Sequence, residues 1–177
     1  LALKQHPSRS VRIAAVVALR KLADVRIAEF LTDSDIGVQT EAARAINDVV
    51  ALHPAMPKLA SLIGGKFGSD ALAYRVLNAN FRSGTTEAAM AIATYAAGKD
   101  NSEATRIEAL EMLSTWSKPG ELDRVMNRYL PLADRDSAPA KEALEKHFAG
   151  VLLGTNEIQT KAVEVAAVVG ITGVTDV

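Results

Sequence analysis

His6, His53 and His147 are the side chains with ordinary pKa values nearest neutral, and they lie far apart in the sequence. None stands with another ligand-type residue at the i, i+3 or i+4 spacing that would bring two ligands to one face of a helix. They are expected to be structural or solvated. His53 precedes Pro54 at a helix end, where a cationic side chain also suits the helix dipole. The paired carboxylates Asp33 with Asp35, and Asp134 with Asp136, fall in turns. Short acidic side chains there cap helices or bond back to their own backbone, and a calcium loop would need more oxygen donors at regular offsets. Gly64-Gly65-Lys66-Phe67-Gly68-Ser69 has the glycines and lysine of a phosphate loop, but not their order, and no strand precedes it. It reads as a turn between helices. Trp116 reads as a packing residue. Arg12, Gln39 and Arg106 occupy one column of a recurring pattern and are expected to reach turn carbonyls, or acids such as Asp35, as a structural ladder.

The elements that position these residues follow from that recurrence. Val11-Arg12, Ala15, Ala18-Leu19 and Leu22 give apolar-basic-x-x-small-x-x-small-apolar, and Val38-Gln39, Ala42, Ala45-Ile46 and Val49 repeat it 27 residues later. Looser copies start at Leu72, Thr105 and Ala140, at steps of 34, 33 and 35 residues. Helical spacing inside each copy, repeated at such a period, is the signature of stacked helix pairs. The small residues Ala15, Ala18, Ala42 and Ala45 are expected at buried helix–helix contacts.

Composition narrows the class. Of 177 residues, 49% are apolar, yet only one Trp, three Tyr and four Phe are aromatic, so Ala, Val and Leu must form the core. That suits close helix packing better than a sandwich of sheets. Twenty basic and 21 acidic residues leave a net charge of −1, without the basic excess on which nucleic-acid binding depends. The absence of cysteine excludes disulfides, thiolate metal sites and covalent haem attachment within this chain. No apolar run approaches the roughly 20 residues of a membrane span. The chain opens on Leu1, close to a helix, and is read as an excised segment of a larger protein.

Along the chain, Ser8 and Ser10 are N-cap candidates for a helix over 11–23. A short helix over 25–31 follows, and then a long one from the Asp33-Ser34-Asp35 cluster to about Leu52, stopped by His53-Pro54. Further helices are predicted over 56–63, 70–81, 86–97, 102–116, 121–130, 138–149 and 156–169, with a polar loop over 131–137, and 171–177 reads as a frayed tail or the start of a missing element. No stretch alternates apolar and polar with period two for long, so the fold class is all-α, with one domain over 1–177.

The first two copies of the pattern resemble the second helix of HEAT repeats. The resemblance covers most of the chain, with departures at Ala73, Asn80, Ser83 and His147. It implies a right-handed α-α superhelix, a HEAT or ARM-like solenoid of about five helix pairs, with the second helices lining a concave face. A narrower likeness rests on Leu77-Asn78-Ala79-Asn80-Phe81-Arg82-Ser83-Gly84 and on Arg106 through Trp116. These segments resemble the helical-repeat part of large exported bacterial proteins that join a propeller-type dehydrogenase domain to a c-type haem domain. That likeness implies a connector between domains and a periplasmic or exported location. No catalytic residue carries over.

The function expected is therefore a non-catalytic scaffold or spacer that binds a protein partner or adjacent domains, with no cofactor or metal, no nucleic acid and no membrane insertion. The alternative is a helical-repeat enzyme of lyase or DNA-glycosylase type, with aromatic side chains and a carboxylate in the groove. The candidate binding strip is the seventh column of the pattern, Val17, Arg44, Asn78, Glu111 and Lys146, extended by Asn47 and Arg82. Arg44, Asn47, Asn78, Arg82 and Glu111 are its polar core. It is expected to be a solvated ridge on the side of the helices away from the apolar columns.

Overall fold

The computed structural model describes residues 2–172. The chain is all-α: among these residues there is no strand, only an isolated antiparallel bridge between Leu122 and Tyr129. It divides into two compact units, one of residues 1–62 with 67–79, the other of residues 63–66 with 80–177. One crossing falls inside a helix, Asp70–Ser83, and the other two flank the short segment 63–66 that holds Gly64 and Gly65.

In the first unit, α1 (Arg9–Lys21) lies along α2 (Ile36–Asp48), and a 3-10 stretch, Val25–Thr32, packs against both. A second 3-10 stretch, Val50–Ala55, a single turn α3 (Met56–Ala60), and residues 70–79 of α4 (Asp70–Ser83) complete it. Asp35 starts α2 by accepting from the Gly37 and Val38 N–H groups, two of the donors that a helix leaves unpaired at its start. Val16, Leu19, Ile27, Phe30, Val38, Ile46, Leu52 and Leu59 form the core. Each such side chain contributes roughly 1.5–3 kcal/mol on burial.

In the second unit, α5 (Thr86–Ala97) pairs with α6 (Glu103–Ser114), and α7 (Ala138–Val151) pairs with α8 (Asn156–Val169). The pairs are stacked, α5 running against α7 and α6 against α8. Hydroxyl caps start three of these helices: Thr85 accepts from Ala88 N–H, Ser102 from Thr105 N–H, and Thr155 from Ile158 N–H. Gly170 ends α8 at φ 78°, a left-handed conformation that a Cβ would penalise.

Several expectations are corrected. Ser8 sits at the N-cap of α1 without a side-chain bond, and Ser10 lies inside the helix. Helix α2 stops at Asp48, because Val49 turns extended at φ −112°, so Pro54 falls within the following 3-10 stretch. The helix predicted over 121–130 does not form. The buried Asp123 carboxylate accepts from the Val125 and Met126 N–H groups, and Asn127 adopts φ 48°, which folds the segment back on itself. The fifth copy of the pattern is misplaced: α7 stacks on α5, the first helix of its pair, whereas α8 stacks on α6. Ile158-Gln159, Ala162 and Val165-Ala166 supply the pattern on α8. Ala15, Ala42 and Ala45 are buried as expected, but Ala18 is exposed, and Leu22, expected in a core column, is 74% exposed. Of the expected tail, residues 173–177 lie outside the described residues.

Candidate functional site

The second position of the repeated pattern does the same thing wherever it holds a basic or amide side chain. Arg12 Nη1 donates to His6 O at 2.8 Å, Gln39 Nε2 to Asp33 O, Arg106 Nε to Ala96 O at 2.7 Å, and Gln159 Nε2 to Leu152 O at 2.8 Å. Each reaches back a few residues, to the end of the preceding helix or to the turn that starts its own, and occupies a carbonyl there. This is the expected ladder, with one change of partner: Arg12 grips Asp33 through two bonds of 2.8 and 3.0 Å, and Asp35 is taken by Arg9. The Asp33 bonds hold the Arg12 guanidinium above its ordinary pKa. Arg106 is only 4% exposed, and burial lowers its pKa.

The candidate strip does not form one solvated ridge. In the first unit, Asn47 and Asn78 are each 1% exposed, and Asn78 Nδ2 donates to Asn47 Oδ1 at 2.8 Å. Beside them Arg75 faces Asp48 at 3.4 Å, in the same interior seam. Both amides are interior because α2 meets α1 on one side and these α4 residues on another, so the face opposite the apolar columns is covered as well. Arg44 remains at the surface, 43% exposed by side chain, on Glu41 at 2.9 Å. In the second unit, the partly buried Arg82 pairs with the buried Asp123 at 3.3 Å, while Glu111 takes Lys161 at 2.7 Å. Val17 and Lys146 are exposed. Thus the structure brings Asn47 and Asn78 together in an interior contact, and commits Arg82 and Glu111 to separate ion pairs.

The segment over 115–137 carries the densest side-chain chemistry of the second unit. Arg135 lies 3.7 Å above the Trp116 ring centroid and 4.7 Å from that of Phe81, and donates to Trp116 O and Phe81 O. Phe81 and Trp116 meet edge to face at 5.9 Å. Burial lowers the Arg135 pKa to about 10. Arg124 adds an ion pair of 2.6 Å with Glu108. The aromatic face that base recognition would need on Trp116 is thus taken by a cation of the same unit.

Two hollows remain. One of about 330 Å³ is bordered by Lys4, His6, Arg12 and Asp33, with Arg12 engaged as above and His6 Nδ1 accepting from Ser8 N–H. Another of about 450 Å³ is bordered by Gly64, Gly65, Lys66, Thr94, Tyr95 and Asp100. There Thr94 Oγ1 bonds His147 Nε2 at 3.1 Å, and Tyr95 Oη bonds Thr105 Oγ1 at 2.9 Å. His53 Nε2 bonds Asn47 O at 3.1 Å, so each histidine has a partner in the chain. Among the described residues no three His, Asp or Glu side chains are grouped to hold a metal ion, and no helix is long and apolar enough to cross a membrane.

The surface feature that column assignment missed is apolar. Ala14, Val17, Ala18 and Leu22 are all exposed and follow one another at i, i+3, i+4 and i+8, a second apolar stripe on α1 beside the buried Ala15, Val16 and Leu19. The signal was present in the sequence as apolar residues on both faces of this helix. No family model matches the chain, and neither a curated protein nor a solved structure matches it.

Proposed function

We propose that the chain is a non-catalytic helical-repeat module of HEAT type, a solenoid segment that binds a protein partner or holds adjacent domains. The observation that carries this reading is the carbonyl ladder of Arg12, Gln39, Arg106 and Gln159. The pattern residues best equipped for substrate chemistry are tied to the backbone of their own repeat, which is what a stacking scaffold asks of them. The stacking of α5 on α7 and α6 on α8 supports the same reading. So does the position of Trp116, whose ring is covered by Arg135 and Phe81.

Arg44 is the member of the candidate strip best placed to meet a partner, since Asn47 and Asn78 are interior and Arg82 is held by Asp123. The test is cross-linking of the protein as the cell makes it, comparing Arg44→Glu with Glu29→Lys, a charge reversal on the 3-10 stretch Val25–Thr32. Loss of cross-linked partner with Arg44→Glu alone is the expected outcome. Equal effects of the two reversals, or no effect from Arg44→Glu, would contradict the strip. Turnover of a base-damaged duplex by the purified protein would contradict the non-catalytic reading itself.

A further inference from the structure

The largely buried arginines of this chain have carboxylates beside them, with one exception. Arg12, Arg75, Arg82 and Arg124 face Asp33 at 2.8 Å, Asp48 at 3.4 Å, Asp123 at 3.3 Å and Glu108 at 2.6 Å. Arg106 lies near Glu103, which favours its charge. Among the described residues no carboxylate does this for Arg135, on which burial acts alone. Its sequence neighbours Asp134 and Asp136 are exposed, and the Asp136 carboxylate accepts from the Ala138 N–H. What holds the Arg135 guanidinium is Trp116 O at 2.8 Å, Phe81 O at 2.7 Å and the two rings, that of Trp116 with its centroid 3.7 Å away. Carbonyl dipoles and ring faces favour a cation without neutralising it. The Nη1 edge is closed by Gly84, which adopts φ 67° and on which a Cβ would lie 2.6 Å from Nη1.

The remaining edge is Nη2. It is shut off from solvent and has no acceptor among the described residues, and the same is true of Trp116 Nε1, on the ring beneath it. Trp116 is 1% exposed. Leaving a buried donor unpaired is costly, and leaving a buried charge unpaired is more so. Arg75 Nε and Arg106 Nη2 also lack an acceptor, but each belongs to a guanidinium with a carboxylate nearby. At Arg135 and Trp116 two such donors share one stack, and one of them belongs to a cation without a counter-charge. A water molecule would satisfy the donors and leave the charge.

We propose that Arg135 Nη2 and Trp116 Nε1 together bind a small monovalent anion of the halide class, such as chloride. A single atom accepts from both N–H groups and supplies the missing charge. Sulfate or phosphate would bring a second charge and several more oxygens, for which the stack offers no further unpartnered nitrogen. Arg135 is half-buried in a segment without helix, so entry requires only a local opening. Once bound, the anion fastens the segment that leads into α7 to the residue that follows α6, so halide binding stabilises the folded form. The site is independent of the module reading and goes beyond it.

Trp116 is the single tryptophan, so its emission, excited beyond tyrosine absorption, reads the site directly. The probe is bromide, a halide that quenches indole on contact. Exchanged for gluconate at constant ionic strength, it is expected to quench the wild-type chain along a saturating curve, with half-saturation in the millimolar range. Chloride, a poor quencher, is expected to restore the emission by competition. Arg135→Lys keeps a charge but loses the planar fork, and is expected to raise the bromide dissociation constant at least about tenfold. Chloride is also expected to raise the wild-type denaturation midpoint at constant ionic strength, and Trp116→Phe to remove most of that rise. Quenching that is absent, that fails to saturate by about 1 M, or that chloride does not relieve overturns the proposal. So does an unchanged dissociation constant in Arg135→Lys, or a chloride effect on the midpoint that Trp116→Phe retains in full. The wild-type titrations decide the matter even where a variant does not fold.

Discussion

Helices α1 and α2 carry the same pattern in register and differ in what covers them. On α2, Val38, Ala42, Ala45 and Ile46 are all fully buried, and even Asn47 and Asp48 are interior. On α1, Ala15, Val16 and Leu19 are buried, while Ala18, in a column that α2 fills, faces solvent, as does Leu22 at the helix end. A repeated pattern therefore specifies a helix that is able to pack on two sides. Whether both sides are packed depends on the neighbours, and the pattern in one helix says nothing about those.

The widest separation between the helices is expected from truncation. Ile46→Ala removes a fully buried side chain and should cost about 2–5 kcal/mol, whereas Leu22→Ala should stay within about 0.5 kcal/mol, both read from chemical denaturation. Similar losses at the two sites would break the comparison. Enlargement gives a smaller difference. Ala45→Leu should cost about 1–3 kcal/mol by overpacking, and Ala18→Leu in the same column should lie within about 0.5 kcal/mol. A matched loss at Ala18 would mean that its side of α1 is already covered.

The smallest effect is a control outside both helices. Burial first, and then Lys146, lowers the His147 pKa below its ordinary value of 6.5. The unfolded chain therefore binds more protons than the folded one as pH falls through that value. The stability His147 contributes is present above it and is lost toward the folded pKa. Acidification from about pH 7.5 to about 5.5 should lower the denaturation midpoint, and His147→Gln should flatten that slope. The slope should be the same in the Ala18→Leu background, because His147 belongs to the second unit.

What was legible in the sequence follows the range of the forces involved. Helices α5 and α8 match their predicted spans because local signals bound them: Thr85 and Thr155 cap their starts, and Gly98 and Gly170 close them. The ladder was legible for Arg12, Gln39 and Arg106 because its partners lie within a few residues to ten. Gln159 makes the same bond, but the fifth copy read from Ala140 falls on α7 and leaves it outside the column. The segment 121–130 was not legible. Its composition favours a helix, and what prevents one is Asp123 turning inward to Arg82, 41 residues away. The candidate strip failed for a related reason. Asn47 and Asn78 are 31 residues apart, and their mutual bond makes buried polar side chains of what a single helix shows as a polar face.

The chain has no cysteine, so a single introduced thiol reports its own accessibility without background. Ala18→Cys and Ala45→Cys place that thiol in one column of α1 and α2. At dilute concentration, the thiol reagent rate for Ala18→Cys should be within a few-fold of the denatured rate, while Ala45→Cys should react at least about a hundredfold more slowly, gated by local or global opening. Comparable rates at the two sites would contradict the uncovered stripe on α1 and every inference built on it.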